Sequence, residues 1–239
     1  MQKPKTLIAL LAVLSVVFLG LQLFKYEYFA SGIRALLLVL LSILYCSRVE
    51  NKRKFFFLFL ITFTVADVFN FLSWQISPDS FMVDYSYYII NAMYILSYSF
   101  LIVQILKTLD IKQVVTKLPV HIIILLVLDI SCVIVVTNTT KSELQFGEYL
   151  LEFVYNAVIM ALLSIALINY IYKDDKKSMN FLVGSIFIVF SEVIQLAYFY
   201  VSEVNVLNVL CSIFLVLAFV FFYLQAKISH EENYNKLEV

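Results

Sequence analysis

The chain reads as an all-α integral membrane protein, a bundle of eight transmembrane helices. Three observations predict this. Of 239 residues, 63% are hydrophobic and 14% charged, against about 45–50% and about 25% in soluble domains. The apolar residues fall in continuous runs and not in the alternation of barrel strands. Basic residues crowd into every second connecting segment, as they do where loops face the cytoplasm. With 4 glycines and 3 prolines, an extra soluble domain or long loops are not expected. Residues 1–228 form the membrane domain, and the polar stretch 229–239 is expected as a cytoplasmic tail.

A span needs about 20 mostly apolar residues. Span 1, residues 6–24, follows Lys3 and Lys5 as in a signal peptide. No small-residue cleavage site follows it, so it is expected to remain as a helix. Span 2, residues 28–47, holds Arg34 and ends at a basic segment with Arg48, Lys52, Arg53 and Lys54. Span 3, residues 55–75, carries FTVADVFNF and its aspartate, Asp67. Span 4, residues 86–106, runs into Lys107, Lys112 and Lys117. Span 5, residues 118–137, holds Asp129; its His121 lies near the cytoplasmic end and reads as an interfacial residue. Span 6, residues 148–172, closes on Lys173, Lys176 and Lys177. Spans 7 and 8 are residues 179–201 and 204–226, the last followed by Lys227 and Lys236. The opposite loops hold only Lys25 and Lys141 as basic residues, beside Glu27, Asp79, Asp84, Glu143 and Glu203. By the positive-inside rule both termini are cytoplasmic, and the expected location is a bacterial inner membrane.

The zero net charge argues against nucleic acid as a partner. Cys46, Cys132 and Cys211 lie in or at the ends of apolar segments without CxxC spacing, and read as small hydrophobes. With 2 histidines far apart, no metal site and no cofactor is expected. There is no GxSxG, HExxH or glycine-rich phosphate loop.

What stands out is polarity at one depth. Asp67 lies 13 residues beyond Lys54, about 20 Å along a helix rising about 1.5 Å per residue. That is the outer half of a hydrocarbon core about 30 Å thick. Arg34, Asn91, Asp129, Asn156 and Glu192 fall at similar distances from the basic ends of spans 2, 4, 5, 6 and 7. Three helices add a stripe at i, i+3 and i+7: Asp67, Asn70 and Trp74; Asn91, Tyr94 and Tyr98; Glu192, Gln195 and Phe199. Such positions share a helix face, and lipid cannot satisfy polar groups, so the stripes should face the interior. Amides can serve as interhelical glue, and Arg34 can snorkel to the interface. Asp67 and Glu192 are more costly to place in a membrane, by about 2.5–3.5 kcal/mol each, and read as functional. ADVFNFL (66–72) and SEVIQLA (191–197) share an acid–amide pattern on spans 3 and 7. They point to two parallel four-helix halves, with Asp67 facing Glu192.

On these residues the chain resembles the YhhN family of eight-span membrane proteins, which includes lysoplasmalogenases. Ala66-Asp67 stands where the family has Gly-Asp. Asn91 and Tyr94 match its Ala-His-x-x-Tyr, with Asn91 in the histidine position. Gly184-Ser185-Ile186-Phe187 followed by Ser191-Glu192 matches its Gly-Ala-x-Leu-Phe-x-x-Ser-Asp with a slightly different spacing. Arg34-Ala35 stands in place of a Lys-Pro, and Tyr155 matches a tyrosine of the sixth span. The Tyr-Tyr-x-x-Gln of the family's last span is not evident here.

The resemblance implies cleavage of a lysoplasmalogen vinyl ether. A general acid protonates the alkenyl carbon, water adds to the oxocarbenium ion, and the hemiacetal collapses to an aldehyde. Burial and a neighbouring acid favour a carboxyl that stays protonated. The expected acid/base pair is Asp67 and Glu192, with Arg34 on the lipid phosphate. Asn91, Tyr94, Asn156, Gln195, Asn70, Tyr155 and Asp129 complete the expected substrate site. The expected partners are a lysolipid or other amphipathic small molecule, and membrane lipids. Two other readings stay open: a transporter or lipid- or metabolite-binding protein, since intramembrane acids also relay protons, or a relative that keeps the fold without the activity, since Asn91 replaces the histidine.

Overall fold

The computed structural model describes residues 3–76 and 82–228; the tail 229–239 and Asp79 lie outside the described residues. The described elements are α1 (Lys3–Leu23), α2 (Glu27–Arg48), α3 (Lys54–Ser73), α4 (Met82–Leu106), α5 (Ile111–Lys117), α6 (Pro119–Asn138), α7 (Phe146–Lys173), α8 (Lys176–Tyr200) and α9 (Asn205–Lys227). All but α5 are long and apolar enough to cross a membrane, which makes 8 candidate spans. The protein is an all-α, multi-pass membrane bundle.

The added element, α5, begins at Asp110, whose side chain accepts a hydrogen bond from the Gln113 backbone N–H at 3.1 Å. That is a conventional helix N-cap. Pro119 then starts α6 at a first-turn position, where its missing N–H costs nothing.

The outward surface is strongly apolar. Val16 on α1 is 71% exposed and Val135 on α6 is 66% exposed. In water such a surface would drive association; in a bilayer it faces lipid, where backbone polar groups must be satisfied within the helices.

The helices pack in a cycle: α2 on α3, α3 on α4, α4 on α7, α7 on α8, α8 on α9, with α1 against both α9 and α2. α6 packs on α7, outside that cycle. The two four-helix stretches are therefore packed unequally: α1 bridges two neighbours, while α6 flanks the bundle.

Neighbouring helices are tied by small and polar residues. A Cβ at Gly184 would lie 2.7 Å from Phe222 Cδ1 and 3.3 Å from the Ala218 carbonyl, so only glycine lets α8 meet α9 this closely. The Ser191 hydroxyl donates to the Cys211 carbonyl at 2.8 Å. Ser42 and Thr64 hydroxyls meet at 3.1 Å between α2 and α3. These are the contacts expected where apolar burial alone does not favour helix association.

Along the bundle axis the interior changes character. The end that carries Arg53, Lys173 and Lys177 is called here the basic end, and its opposite the open end. The half near the basic end is filled by rings. Phe59 stacks on Phe219 at 5.9 Å, Phe63 meets Phe219 edge-on at 5.0 Å, and Phe181 packs on Phe222 at 5.4 Å. Toward the open end this packing gives way to a chamber.

Candidate functional site

The chamber has a volume of about 360 Å³. α3 shows how sequence builds it. Successive inward positions toward the open end are Phe59, Phe63, Asp67, Asn70 and Trp74: two rings of the plug, then the acid, the amide and the rim indole. Phe63, Asp67, Asn70 and Trp74 all line the chamber.

Asp67 is 1% exposed and held from two helices. The Arg34 guanidinium of α2 grips it with both arms, Nε to Oδ2 at 2.9 Å and Nη2 to Oδ1 at 2.8 Å. The Tyr94 hydroxyl of α4 donates to Oδ1 at 2.7 Å. A forked arginine–carboxylate pair of this kind combines charge and fixed geometry. It answers the cost of a buried charge, which would be severe without a partner.

Glu192 on α8 is compensated differently. The Tyr98 hydroxyl, one turn along α4 from Tyr94, donates to Oε1. The Tyr155 hydroxyl of α7 approaches the same carboxyl. The ion pair of this chamber, Arg34–Asp67, belongs to the other acid. Two phenols thus frame Glu192, in place of a cation.

A third acid completes the wall. Glu152 of α7 is 8% exposed and lines the chamber. It accepts from the Tyr87 hydroxyl at 3.4 Å and from Asn156 Nδ2 at 3.4 Å. Sequence reasoning missed it. Glu152 lies 21 residues before Lys173, about 31 Å along the helix, so depth alone assigns it to the rim. The signal available was its i, i+4 relation to Asn156, which places both on one face.

Of the residues expected from sequence, Arg34, Asp67, Asn70, Asn91, Tyr94, Tyr155, Asn156, Glu192 and Gln195 all line this one chamber. Asn91 donates to its own helix, at the Tyr87 carbonyl, 2.8 Å away. Asn156 also donates to Thr137 of α6 at 3.1 Å. Asp129 is the exception. It accepts from the Ser164 hydroxyl at 2.8 Å, a tie between α6 and α7. Its depth matched the others, but α6 packs on the outside of α7, and Asp129 meets α7 at Ser164 and not at the chamber. Asp129, expected in the substrate site, is not among the residues that line the chamber; it lies on the seam between α6 and α7.

A smaller vestibule adjoins the chamber toward the open end, sharing Arg34, Asn70, Trp74, Gln195 and Phe199 with it. Its wall is tied by Glu27, which accepts from Tyr198 at 2.7 Å and Asn208 at 3.1 Å. Among the described residues, no group of three or more His, Cys, Asp and Glu gathers as a metal site would require.

The fold and site define a multi-pass helical membrane protein with a polar, carboxylate-bearing chamber enclosed among its spans. No protein-family model, curated protein or solved structure matches the chain.

Proposed function

We propose that the protein is a membrane-embedded hydrolase that cleaves the vinyl ether of a lysoplasmalogen-type lysolipid, in line with the resemblance to the YhhN family. The observation that carries this reading is the unequal state of the acids on one chamber: Asp67 is bound by a cation, and Glu192 is not.

Vinyl ether hydrolysis consumes one water. A carboxyl group gives its proton to the alkenyl carbon, leaving an oxocarbenium ion and a carboxylate. Water attacks that ion and its proton returns to a carboxylate. The hemiacetal C–O bond then breaks, yielding a fatty aldehyde and a glycerophospho-alcohol. Glu192 suits the proton donor, because its neighbours are neutral hydroxyls. Positioned acids of this kind contribute about 10²–10⁴-fold. Glu152 suits the second carboxylate, which steadies the cation and accepts the water proton. Both oxygens of Asp67 are taken by Arg34 and Tyr94, so we assign Asp67 to positioning Arg34, whose remaining N–H groups meet the lipid phosphate.

The ring-filled half favours hydrolysis over transport, since the chamber ends on Phe63 and continues into packed aromatics. α3 and α8 are also continuous helices, without the breaks typical of transporter sites. The basic end is assigned to the cytoplasm by the positive-inside rule, in a bacterial inner membrane, and the chamber then opens toward the outer leaflet.

The test is aldehyde release from lysoplasmalogen by purified protein in detergent, with Glu192→Gln and Glu152→Gln beside it. Release that Glu192→Gln abolishes and Glu152→Gln reduces is expected. No release from folded protein would sink the hydrolase reading.

A further inference from the structure

Three cavities meet at Arg34. It lines the chamber, the vestibule and a third space, an apolar cleft of about 110 Å³. Leu215 of α9 lines all three as well. The cleft is formed where α1 lies across α2 and α9, with walls that include Leu11, Phe18, Leu37, Leu41, Val216 and Val220. On α2 it runs from Arg34 to Leu41, 7 residues or about 10 Å, toward the basic end. α1 is among the least buried of the spans, so the far side of the cleft is open to lipid.

We propose that this cleft seats the hydrocarbon chain of the amphiphile whose head group occupies the chamber. The inference rests on the amphiphile reading above. The polar-and-aromatic stripes of α3, α4 and α8 suit the chain less well. Those stripes include Asn70, Asn91 and Gln195 and share their space with the carboxylates of Glu152 and Glu192. The α1–α2–α9 cleft is lined, apart from Ser15 and Arg34, by apolar side chains, and it starts at the one guanidinium that borders the chamber. A lipid bound this way keeps its phosphate at Arg34 and its scissile bond among Glu192 and Glu152. Its chain descends past Leu37 and Leu41, and the distal carbons continue into the bilayer around α1. Head toward the open end and tail toward the mid-membrane is the orientation a leaflet lipid already has, so it enters sideways without turning over. The requirement is chemical: a single chain on a phosphate-bearing head, because the cleft of about 110 Å³ is far smaller than two chains would need.

The experiment uses the full chain in nanodiscs and a lysophosphatidylcholine with a diazirine on the proximal third of its chain. After irradiation, adducts are mapped by mass spectrometry, with unlabelled lysophosphatidylcholine as competitor. Competable adducts are expected on Leu11–Phe18, Leu37–Leu41 and Leu215–Val220. Val216→Trp, which fills the cleft, should lower that labelling at least fivefold, and Ile123→Trp on the lipid face of α6 should not. Leu41→Trp serves as a second cleft-filling variant if Val216→Trp fails to fold. Competable adducts on Trp74 or Phe199 would overturn the cleft assignment and leave the amphiphile reading standing. Labelling that no competitor reduces would overturn both.

Discussion

Asp67 and Glu192 come from nearly the same sequence pattern, on two helices that line the same chamber, yet their surroundings differ in kind. α3 places its acid against α2 and α4, where Arg34 and Tyr94 bind it with three donated hydrogen bonds of 2.7–2.9 Å. α8 places its acid against α4 and α7, which offer the hydroxyls of Tyr98 and Tyr155. One carboxylate is neutralised and fixed. The other is framed by groups that can give or take a hydrogen bond as its charge changes. The lesson is that an intramembrane acid is classified by its neighbours on other helices, not by its own motif. Structural charge and reactive charge can share a pattern.

The sharpest way to break this comparison is Glu192→Gln. It keeps shape and removes the transferable proton, so aldehyde release should fall by about 10²–10⁴-fold, with unfolding in detergent little changed. If activity survives, Glu192 is as structural as Asp67 and the contrast fails. Next comes Asp67→Ala. It strands Arg34 inside the bundle, and stability should drop by about 3–5 kcal/mol, the usual cost of orphaning a buried charge. Adding Arg34→Leu should restore much of that loss in denaturation assays, while lipid binding stays impaired. A double variant no more stable than Asp67→Ala would refute the pairing.

The tyrosines give a finer test. Tyr94→Phe removes a hydrogen bond to a charged group, which is worth about 1.5–3 kcal/mol, and should show chiefly in stability. Tyr98→Phe removes the partner of the proposed acid. It should lower activity about tenfold, a change in kcat with the midpoint of unfolding shifted less than in Tyr94→Phe. Equal effects of both on activity would erase the distinction between the two sites. The smallest effect is expected from Asp129→Asn, which keeps a partner for Ser164 on the α6–α7 seam. Stability should change by less than about 1 kcal/mol, and activity not at all. A clear loss of turnover there would return Asp129 to the site.

Much of this was legible in the chain. The eight spans fall within a few residues of the helices observed, because continuous apolar runs bounded by basic clusters have one economical solution in a bilayer. The i, i+3, i+7 stripes of α3, α4 and α8 point inward, since lipid offers polar groups no partner. Depth counting picked out five residues that line the chamber, Arg34, Asp67, Asn91, Asn156 and Glu192, and the stripes added Asn70, Tyr94 and Gln195. It failed at Asp129 and Glu152 for one reason: depth is a coordinate along a helix, and says nothing of where that helix stands in the bundle. α6 flanks the cycle, so a polar residue at chamber depth ends at a seam. α7 belongs to the cycle, so an acid at rim depth still faces in. Partner choice was equally hidden. Arg34 and Asp67 are 33 residues apart, Tyr98 and Glu192 are 94 apart, and no spacing rule connects them. The sequence by itself determined that the chain crosses the membrane and which helix faces are polar, because both follow from periodicity and transfer energy within single segments. Only the tertiary structure decided which acid meets the arginine, which meets the phenols, and that an apolar cleft joins the chamber at Arg34, because those depend on the order in which separate helices pack.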